Sequence, residues 1–385
     1  MAGIRINMAG IYLHIPFCKQ KCTYCNFHFS TSLKAKDDLL RAMLRELELQ
    51  KDYLQGHSIE TIYFGGGTPS LLSSDEIMRF IDAIYHHYPA GTLKECTLEA
   101  NPDDLSAQYL KELRHTAIDR FSIGVQSFKE KDLLFMNRAH NTQQADYAIK
   151  AAQDAGFANL TIDLIYGTPG LSDADWKYNL SQVAKLQVPH FSAYALTVEE
   201  GTVLHNNILK KKTSRPDNEQ AAGQLELLME QAGIMGYDHY EISNLALPGH
   251  HAVHNTNYWR GLPYLGIGPS AHSFDGNKRR WNIANNALYT QSILSQNHVP
   301  YEEELLTPVQ HLNEYIMTSL RTMWGCDLDK IARQWGGEYV SALEQNALAF
   351  MEKGQVNLQD RKLILSNTGK LFADGIAGEL FFDAQ

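Results

Sequence analysis

The 385-residue chain has no apolar run approaching the ~18 residues that a membrane-spanning helix needs. Its first ten residues, Met1 to Gly10, lack the apolar core of a secretory signal. Both absences point to a reducing cytoplasm, where disulfides do not persist. Basic charge is also short: 34 Lys and Arg against 44 Asp and Glu give a formal net charge of -10. A nucleic-acid binder shows a basic face, so no nucleic acid is expected as a partner. There is no low-complexity tract and no repeat beyond alternating strand and helix signals. Cysteine is scarce, with five in the chain. Cys96 and Cys326 sit in apolar surroundings and read as buried core thiols.

The other three cysteines are crowded together. Cys18, Cys22 and Cys25 follow the spacing C-x3-C-x2-C. Thiolates this close can converge on one soft metal centre, and tight Cys groups hold iron–sulfur clusters. A four-iron cluster normally takes four thiolates. No fourth is within reach, because Phe27 and His28 follow the third. One iron would be left open to a non-protein ligand. Zinc is the alternative, with His28 as its simplest fourth ligand.

Strand and helix signals alternate through the first half. Strands are expected at Ile11–Ile15, Thr61–Phe64, Glu95–Ala100, Arg120–Val125, Thr161–Ile165 and His190–Leu196. Helices are expected at Asp37–Leu54, from a capping box at Ser73 and Glu76 to about Tyr88, at Ala107–Arg114, at Thr142–Ala155, and after Ser172. Parallel strands need crossover helices, so six βα units imply a parallel sheet. The pattern runs out near Thr197, which favours a partial (β/α)6 barrel over a closed eight-stranded one. A doubly wound open sheet is the alternative, and both place ligands at the C-terminal strand ends.

Polar and glycine-rich signals gather at those ends. They are Cys18, Gly65-Gly66-Gly67-Thr68, Glu99-Ala-Asn101, Gly124-Val-Gln126, Asp163 with Tyr166-Gly167, and Tyr194-Ala195. Glycine lets backbone approach a ligand closely. Carboxylates such as Glu99 and Asp163 accept from hydroxyls or an ammonium group, and Arg138 can pair bidentately with a carboxylate.

The three-cysteine spacing resembles that of the radical S-adenosylmethionine (SAM) proteins. That resemblance implies a [4Fe-4S] cluster whose open iron takes SAM, with one electron cleaving SAM to a deoxyadenosyl radical. It also implies the partial-barrel fold. Tyr12-Leu-His-Ile-Pro-Phe-Cys18, Gly65-Gly-Gly-Thr-Pro-Ser70, Glu99-Ala-Asn-Pro102, Ser122-Ile-Gly-Val-Gln-Ser127, Asp163-Leu-Ile-Tyr-Gly167 and Gly266-Ile-Gly268 narrow it further. Together they are similar to the oxygen-independent coproporphyrinogen III oxidase family and its relatives, the haem chaperones. By this resemblance the SAM site comprises Tyr12, Tyr24, Gly66, Gly67, Thr68, Glu99, Gln126, Arg138, Asp163 and Ala195, and Cys18, Cys22 and Cys25 hold the cluster.

Two departures favour the chaperone branch. The oxidases carry another Cys two residues after the third, where Phe27 stands here, and a longer N-terminal arm. His254-Asn255-Thr256-Asn257-Tyr258-Trp259 also matches the chaperones' haem-linked motif. It implies haem contact by His254, Tyr258 and Trp259, with His250 and His251 as rival ligands. Imidazole is a usual haem ligand, and aromatic rings offer flat faces to a macrocycle.

The expected organisation is a barrel at 1–210, an accessory region with the haem motif at 211–305, and a C-terminal winged-helix-like α+β domain at 306–385. Lys210–Lys212 with Arg215 reads as a basic linker. The resemblance implies haem-accepting apoproteins, respiratory ones among them, and an electron donor as partners. Transient membrane association and a homodimer are compatible with it. The expected function is a cytoplasmic haem chaperone that delivers haem, with the decarboxylating coproporphyrinogen oxidase as the alternative.

Overall fold

A computed structural model describes residues 8–383. Six strands run in chain order: β1 (Met8–Ile15), β2 (Ser58–Gly66), β3 (Ala90–Ala100), β4 (Arg120–Gln126), β5 (Asn159–Tyr166) and β6 (His190–Ala195). Every neighbouring pair is parallel. The helices between them start where the caps predict. Ser73 and Glu76 form both bonds of a capping box, Asn141 and Gln144 form a second, and Ser172 caps a third helix.

Alternation along the strands sorts the two faces. Ile11, Leu13, Ile62, Phe64, Leu98, Phe121, Ile123, Ile162 and Leu164 are fully buried under the helices. Cys96 belongs to this layer, and Cys326 is buried in the C-terminal core. The opposite face carries Tyr63, Thr97, Glu99, Arg120, Ser122, Asp163 and Ser192, which line a cavity. A parallel sheet covered on both faces by helices would be apolar throughout. Here the inner face is polar and wraps a ligand-sized space.

The sheet does not end at the sixth strand. β7 (Asp238–Glu241) and β8 (Asn244–Ala246) form a hairpin, and β8 pairs antiparallel with β6. At the other edge, β9 (Tyr264–Ile267) pairs parallel with β1. β10 (His272–Phe274), β11 (Lys278–Asn282) and β12 (Tyr301–Leu305) continue outward antiparallel. Twelve strands thus lie in the order β12-β11-β10-β9-β1-β2-β3-β4-β5-β6-β8-β7. This is the expected α/β partial (β/α)6 barrel, open between β12 and β7 and extended at both edges.

The Gly261–Asn282 stretch therefore builds strands as well as lining a groove. These strands are three to five residues long. That is too short to show period-two alternation in a glycine-rich run.

Glu46 fastens this edge to the barrel. It lies on the helix Lys36–Leu49, fully buried. Gly268 N–H donates to it at 2.8 Å and Asn282 Nδ2 at 2.7 Å, and the Tyr289 hydroxyl donates to it as well.

The C-terminal region has its own core, including Leu312, Ile316, Ile331, Leu343 and Leu363. Helices Pro308–Leu320, Leu328–Gln334 and Gly337–Glu352 pack on a small antiparallel sheet. That sheet joins β13 (Cys326–Asp327), β14 (Val356–Gln359) and β15 (Lys362–Leu365), in the winged-helix-like arrangement expected.

Replacing Glu46 with Ala strands three buried donors. Leaving a charged group's partners unpaired should cost roughly 3 kcal/mol or more. The check is a lowered urea midpoint at unchanged m-value.

Candidate cofactor site

Cys18, Cys22 and Cys25 line one cavity of about 420 Å3 at the C-terminal ends of the barrel strands. Their loop is pinned at both ends. Cys18 N–H donates to Ser30 O at 3.0 Å, and Ser30 N–H donates to Pro16 O at 2.9 Å. The middle is tied to the segment after β4. Thr23 N–H donates to Met136 O at 3.0 Å, Gln20 Nε2 to Asn137 O at 2.9 Å, and Asn137 Nδ2 to Lys21 O at 2.8 Å. A loop without regular structure thus presents three half-buried thiols in fixed positions.

Burial pushes the Cys18 thiol up to about 11, and the nearby Cys22 and Cys25 add to the effect. Cys25 is raised for the same reason. The free Cys18 and Cys25 thiols therefore hold their protons at neutral pH, and a bound metal would supply the positive charge that removes them. Among the described residues, no three His, Cys, Asp or Glu side chains converge as a single bound ion requires. His28, the simplest extra zinc ligand, turns away from the thiols. Its Nε2 bonds Asn286 Oδ1 at 2.7 Å and its ring faces a different groove.

Two carboxyls form the far wall. Glu99 Oε1 accepts from the Tyr63 hydroxyl at 2.8 Å, and its Oε2 accepts from Gly66 N–H at 3.1 Å. Burial pushes Glu99 up to about 7 against these donors, with Asp163 adding repulsion. Asp163 is pushed up to about 6 by burial, opposed by hydroxyls of Ser192 and Ser122. No carboxyl–cation contact within salt-bridge range is formed by either among the described residues. Two half-buried acids, neither in salt-bridge contact with a cation, suit a ligand bringing positive charge and hydroxyls.

Arg138 reaches the cavity as expected, not solvent. Its Nη1 donates to Cys22 Sγ at 3.2 Å, and its Nη2 donates to Asn101 Oδ1 at 2.6 Å and Gly124 O at 2.7 Å. Its Nε is buried with no partner among the described residues. One donor thus remains for a ligand carboxylate. Gln126 lines the cavity with φ of 68°, a strained value for a non-glycine residue.

The glycines have a packing reason as well. At Gly66 (φ +107°) an added Cβ would meet the His14 ring at 2.6 Å. At Gly67 it would meet backbone of Phe17 at 2.6 Å. Tyr24, Thr68 and Ala195 complete the wall. Nine of the ten residues expected to hold SAM therefore share this cavity. Tyr12 does not line it: its ring stacks on Tyr63 at 6.0 Å and its hydroxyl bonds His14 Nδ1 at 3.1 Å.

The model of the radical SAM superfamily matches residues 12–181 of this chain. The heme chaperone HemW of Mycobacterium tuberculosis is 32% identical over 96% of the chain and 94% of its own length. HemW of Bacillus subtilis is 31% identical over 96% of the chain and 98% of its own length. The chain belongs to the HemW family of radical SAM proteins. Among solved structures, coproporphyrinogen III oxidase (HemN) from Escherichia coli matches at a TM-score of 0.84. It covers 97% of the chain and 90% of its own, at 21% identity, and establishes the shared fold.

Radical SAM membership implies a four-iron cluster and SAM. The three thiols, the cation-seeking acids and the spare Arg138 donor fit both.

The HemW-type motif lies on a helix, Val253–Trp259, that plugs the barrel floor. Glu95 on β3 accepts from Val253 N–H at 2.7 Å and from His254 N–H at 3.1 Å. His254 is fully buried, with Nδ1 bonded to Thr61 Oγ1 at 2.8 Å and Nε2 to the Tyr258 hydroxyl at 2.7 Å. Both nitrogens are occupied in this arrangement. Tyr258 and Trp259 instead line a second groove of about 1220 Å3, between the barrel edge and the C-terminal region. His251 stacks on Tyr240 at 4.5 Å, away from that groove.

Sequence reasoning singled out neither Asn101 as the partner that orients Arg138 nor Ser122 and Ser192 as the donors to Asp163. Their signal was present. Alternate residues of β4 to β6 are polar in a sheet type that is normally apolar.

Several buried histidines are held neutral. Burial lowers His254 to about 3 and His14 and His140 to about 4, and it lowers His190 as well. Their unfolded counterparts take up protons below about 6.5. The unfolded state then binds more protons, so stability is full above that value and falls as pH drops toward 4. The raised carboxyls of Glu46, Glu99 and Asp163 gain protons in the folded state over the same window and act in the opposite sense, so the histidine effect is read by variant. The gap in urea midpoint between His140→Gln and wild type should narrow as pH falls toward about 4; a gap constant with pH would contradict the assignment.

Proposed function

We propose that the protein is a cytoplasmic haem carrier of the radical SAM class. It would hold a [4Fe-4S] cluster on Cys18, Cys22 and Cys25 and SAM on the surrounding wall. Glu99 and Asp163 would receive the ammonium and hydroxyl groups of SAM, and Arg138 its carboxylate. The cluster supplies one-electron chemistry at the open iron when reduced by a donor.

The carrying observation is the separation of two cavities. The groove beside Tyr258 and Trp259 is larger than the ~300–1,000 Å3 of ordinary small-ligand sites, and it is rich in aromatic rings. Among the described residues it shares Asn26 and Phe27 alone with the cluster cavity. A radical enzyme needs its substrate against the cleaved cofactor, in a space closed to water. A carrier needs a platform outside that space from which cargo can leave.

Haem would lie in this groove and pass to haem-accepting apoproteins, respiratory ones among them. No helix of the described residues is long and apolar enough to cross a membrane. Delivery to membrane-bound recipients would therefore use transient contact, as a monomer or a homodimer. The proposed division is a barrel at 1–210, an accessory region at 211–305 that completes the sheet, and a C-terminal domain at 306–385 that walls the groove.

Protein prepared without oxygen should contain iron and sulfide, bind SAM by calorimetry and bind haem by absorbance. Asp163→Asn should weaken SAM binding roughly 10- to 100-fold, the value of a hydrogen bond to a charged group. Incubation with coproporphyrinogen, SAM and reductant should leave the porphyrinogen unchanged. Steady protoporphyrinogen formation would replace the carrier reading with the oxidase one.

A further inference from the structure

The groove walls hold more imidazoles than the motif predicts. His14, His28, His272 and His311 all line it. Two are already engaged. His14 is buried, with Nδ1 on the Tyr12 hydroxyl at 3.1 Å and Nε2 on the His28 carbonyl at 3.0 Å. His28 gives its Nε2 to Asn286 at 2.7 Å. The imidazoles of His272 and His311 make no hydrogen bond among the described residues. His254, inside the barrel, has both nitrogens satisfied and would need the plug helix to move before it could meet an iron.

We propose that His272 is the axial ligand of the haem carried in the groove, and that His254 is a positioning residue that sets Tyr258 into the groove wall. The assignment rests on the carrier reading above. His272 begins β10, where Phe274 lies two residues on and so shares its face. Phe274 stands opposite Tyr264 in the ladder, and Tyr258 meets Tyr264 edge-on at 4.6 Å. These three rings form a continuous apolar wall with His272 at its end. Across the ladder the imidazole stacks beside Trp281, with ring centroids 6.1 Å apart and planes inclined by 29°.

Burial and the Arg279 guanidinium lower the His272 pKa, which favours the neutral, ligating imidazole. His311 also meets the wall, its ring 6.2 Å from that of Phe274, but it comes from the C-terminal helix Pro308–Leu320 and not from the sheet itself, so its place depends on how that helix sits. Among the described residues, the groove holds one acid, Glu314, paired with Arg279 at 2.9 Å, and two further cations that suit propionates. Lys330 lies over the Tyr315 ring at 4.0 Å, and Arg260 lies over the Trp324 ring at 5.3 Å. Neither forms an ion pair among the described residues. Trp259 Nε1 is buried with no acceptor.

The test is haem titration of the full-length protein, followed by absorbance and resonance Raman. Wild type should bind haem with an imidazole-ligated spectrum. His272→Ala should lose that spectrum and weaken binding by at least about tenfold, a typical cost of disturbing metal ligation. Added free imidazole should restore the band. His311→Ala and His254→Gln should keep the ligand signature, His254→Gln with a lowered melting temperature. If His272→Ala misfolds, His272→Gln serves, with circular dichroism as the check. An unchanged spectrum in the folded His272 variant, or a loss seen with His254 or His311 instead, overturns the ligand assignment alone. Wild-type protein that binds no haem overturns the carrier reading and this inference with it.

Discussion

The polar inner face of the barrel carries buried charge at its floor, and one layer of hydrogen bonds satisfies it. Arg120 and Glu95 are 2% and 1% exposed, and their charged atoms approach to 3.9 Å. An ion pair this deep loses heavily on desolvation unless further bonds complete it. Arg120 completes its side with Asn159 at 2.6 Å and with the Thr161 hydroxyl. Thr161 bonds His190 Nδ1 at 3.1 Å, and His190 Nε2 bonds the Tyr240 hydroxyl at 2.7 Å. Glu95 spends its remaining capacity on Thr97 and on the backbone of the plug helix. The layer crosses from β3 to β7, so it also fixes how the edge hairpin meets the barrel.

Much else follows from that layer. The plug helix is placed by Glu95, and its placement puts His254 against Tyr63 at 5.0 Å. Tyr63 holds Glu99, the acid of the cofactor wall. The same helix delivers Tyr258 and Trp259 to the outer groove. Gly10 belongs to this arrangement too, since an added Cβ would meet Thr61 at 2.8 Å and the His254 ring at 3.1 Å. One helix thus braces two cavities that have different chemistry.

Legibility in the sequence tracks how local each cause is. The capping box at Ser73 and the six βα units rest on neighbours within four residues or on helical periodicity, and they appear where expected; the box at Asn141 opens the helix expected from Thr142. The three thiols were legible because loop spacing alone brings them together. Strands β8 to β12 were not, because a three-residue strand is made by its partner and not by its own pattern. His254 reads as a loop ligand because the motif shows ring chemistry and hides the two hydroxyls, 193 and four residues away, that occupy its nitrogens. Tyr12 is equally deceptive: the motif places it beside the first cysteine, but alternation along β1 turns it toward His14 and the groove.

Phe27 stands where these threads meet. It is 67% exposed, two residues beyond Cys25, and it lines both cavities. A large ring left in water is costly, roughly 1.5–3 kcal/mol relative to full burial, so a ligand on either side gains by covering it. Any group that fixes Cys25 also fixes the backbone of Asn26 and Phe27, and with it one wall of the groove. In the proposed carrier any coupling through that wall would be reciprocal: what cluster loading did to the groove, groove loading would do to the cluster site. A cysteine at this position would serve the cofactor cavity alone. A phenyl ring borders both, which suits the carrier role proposed above.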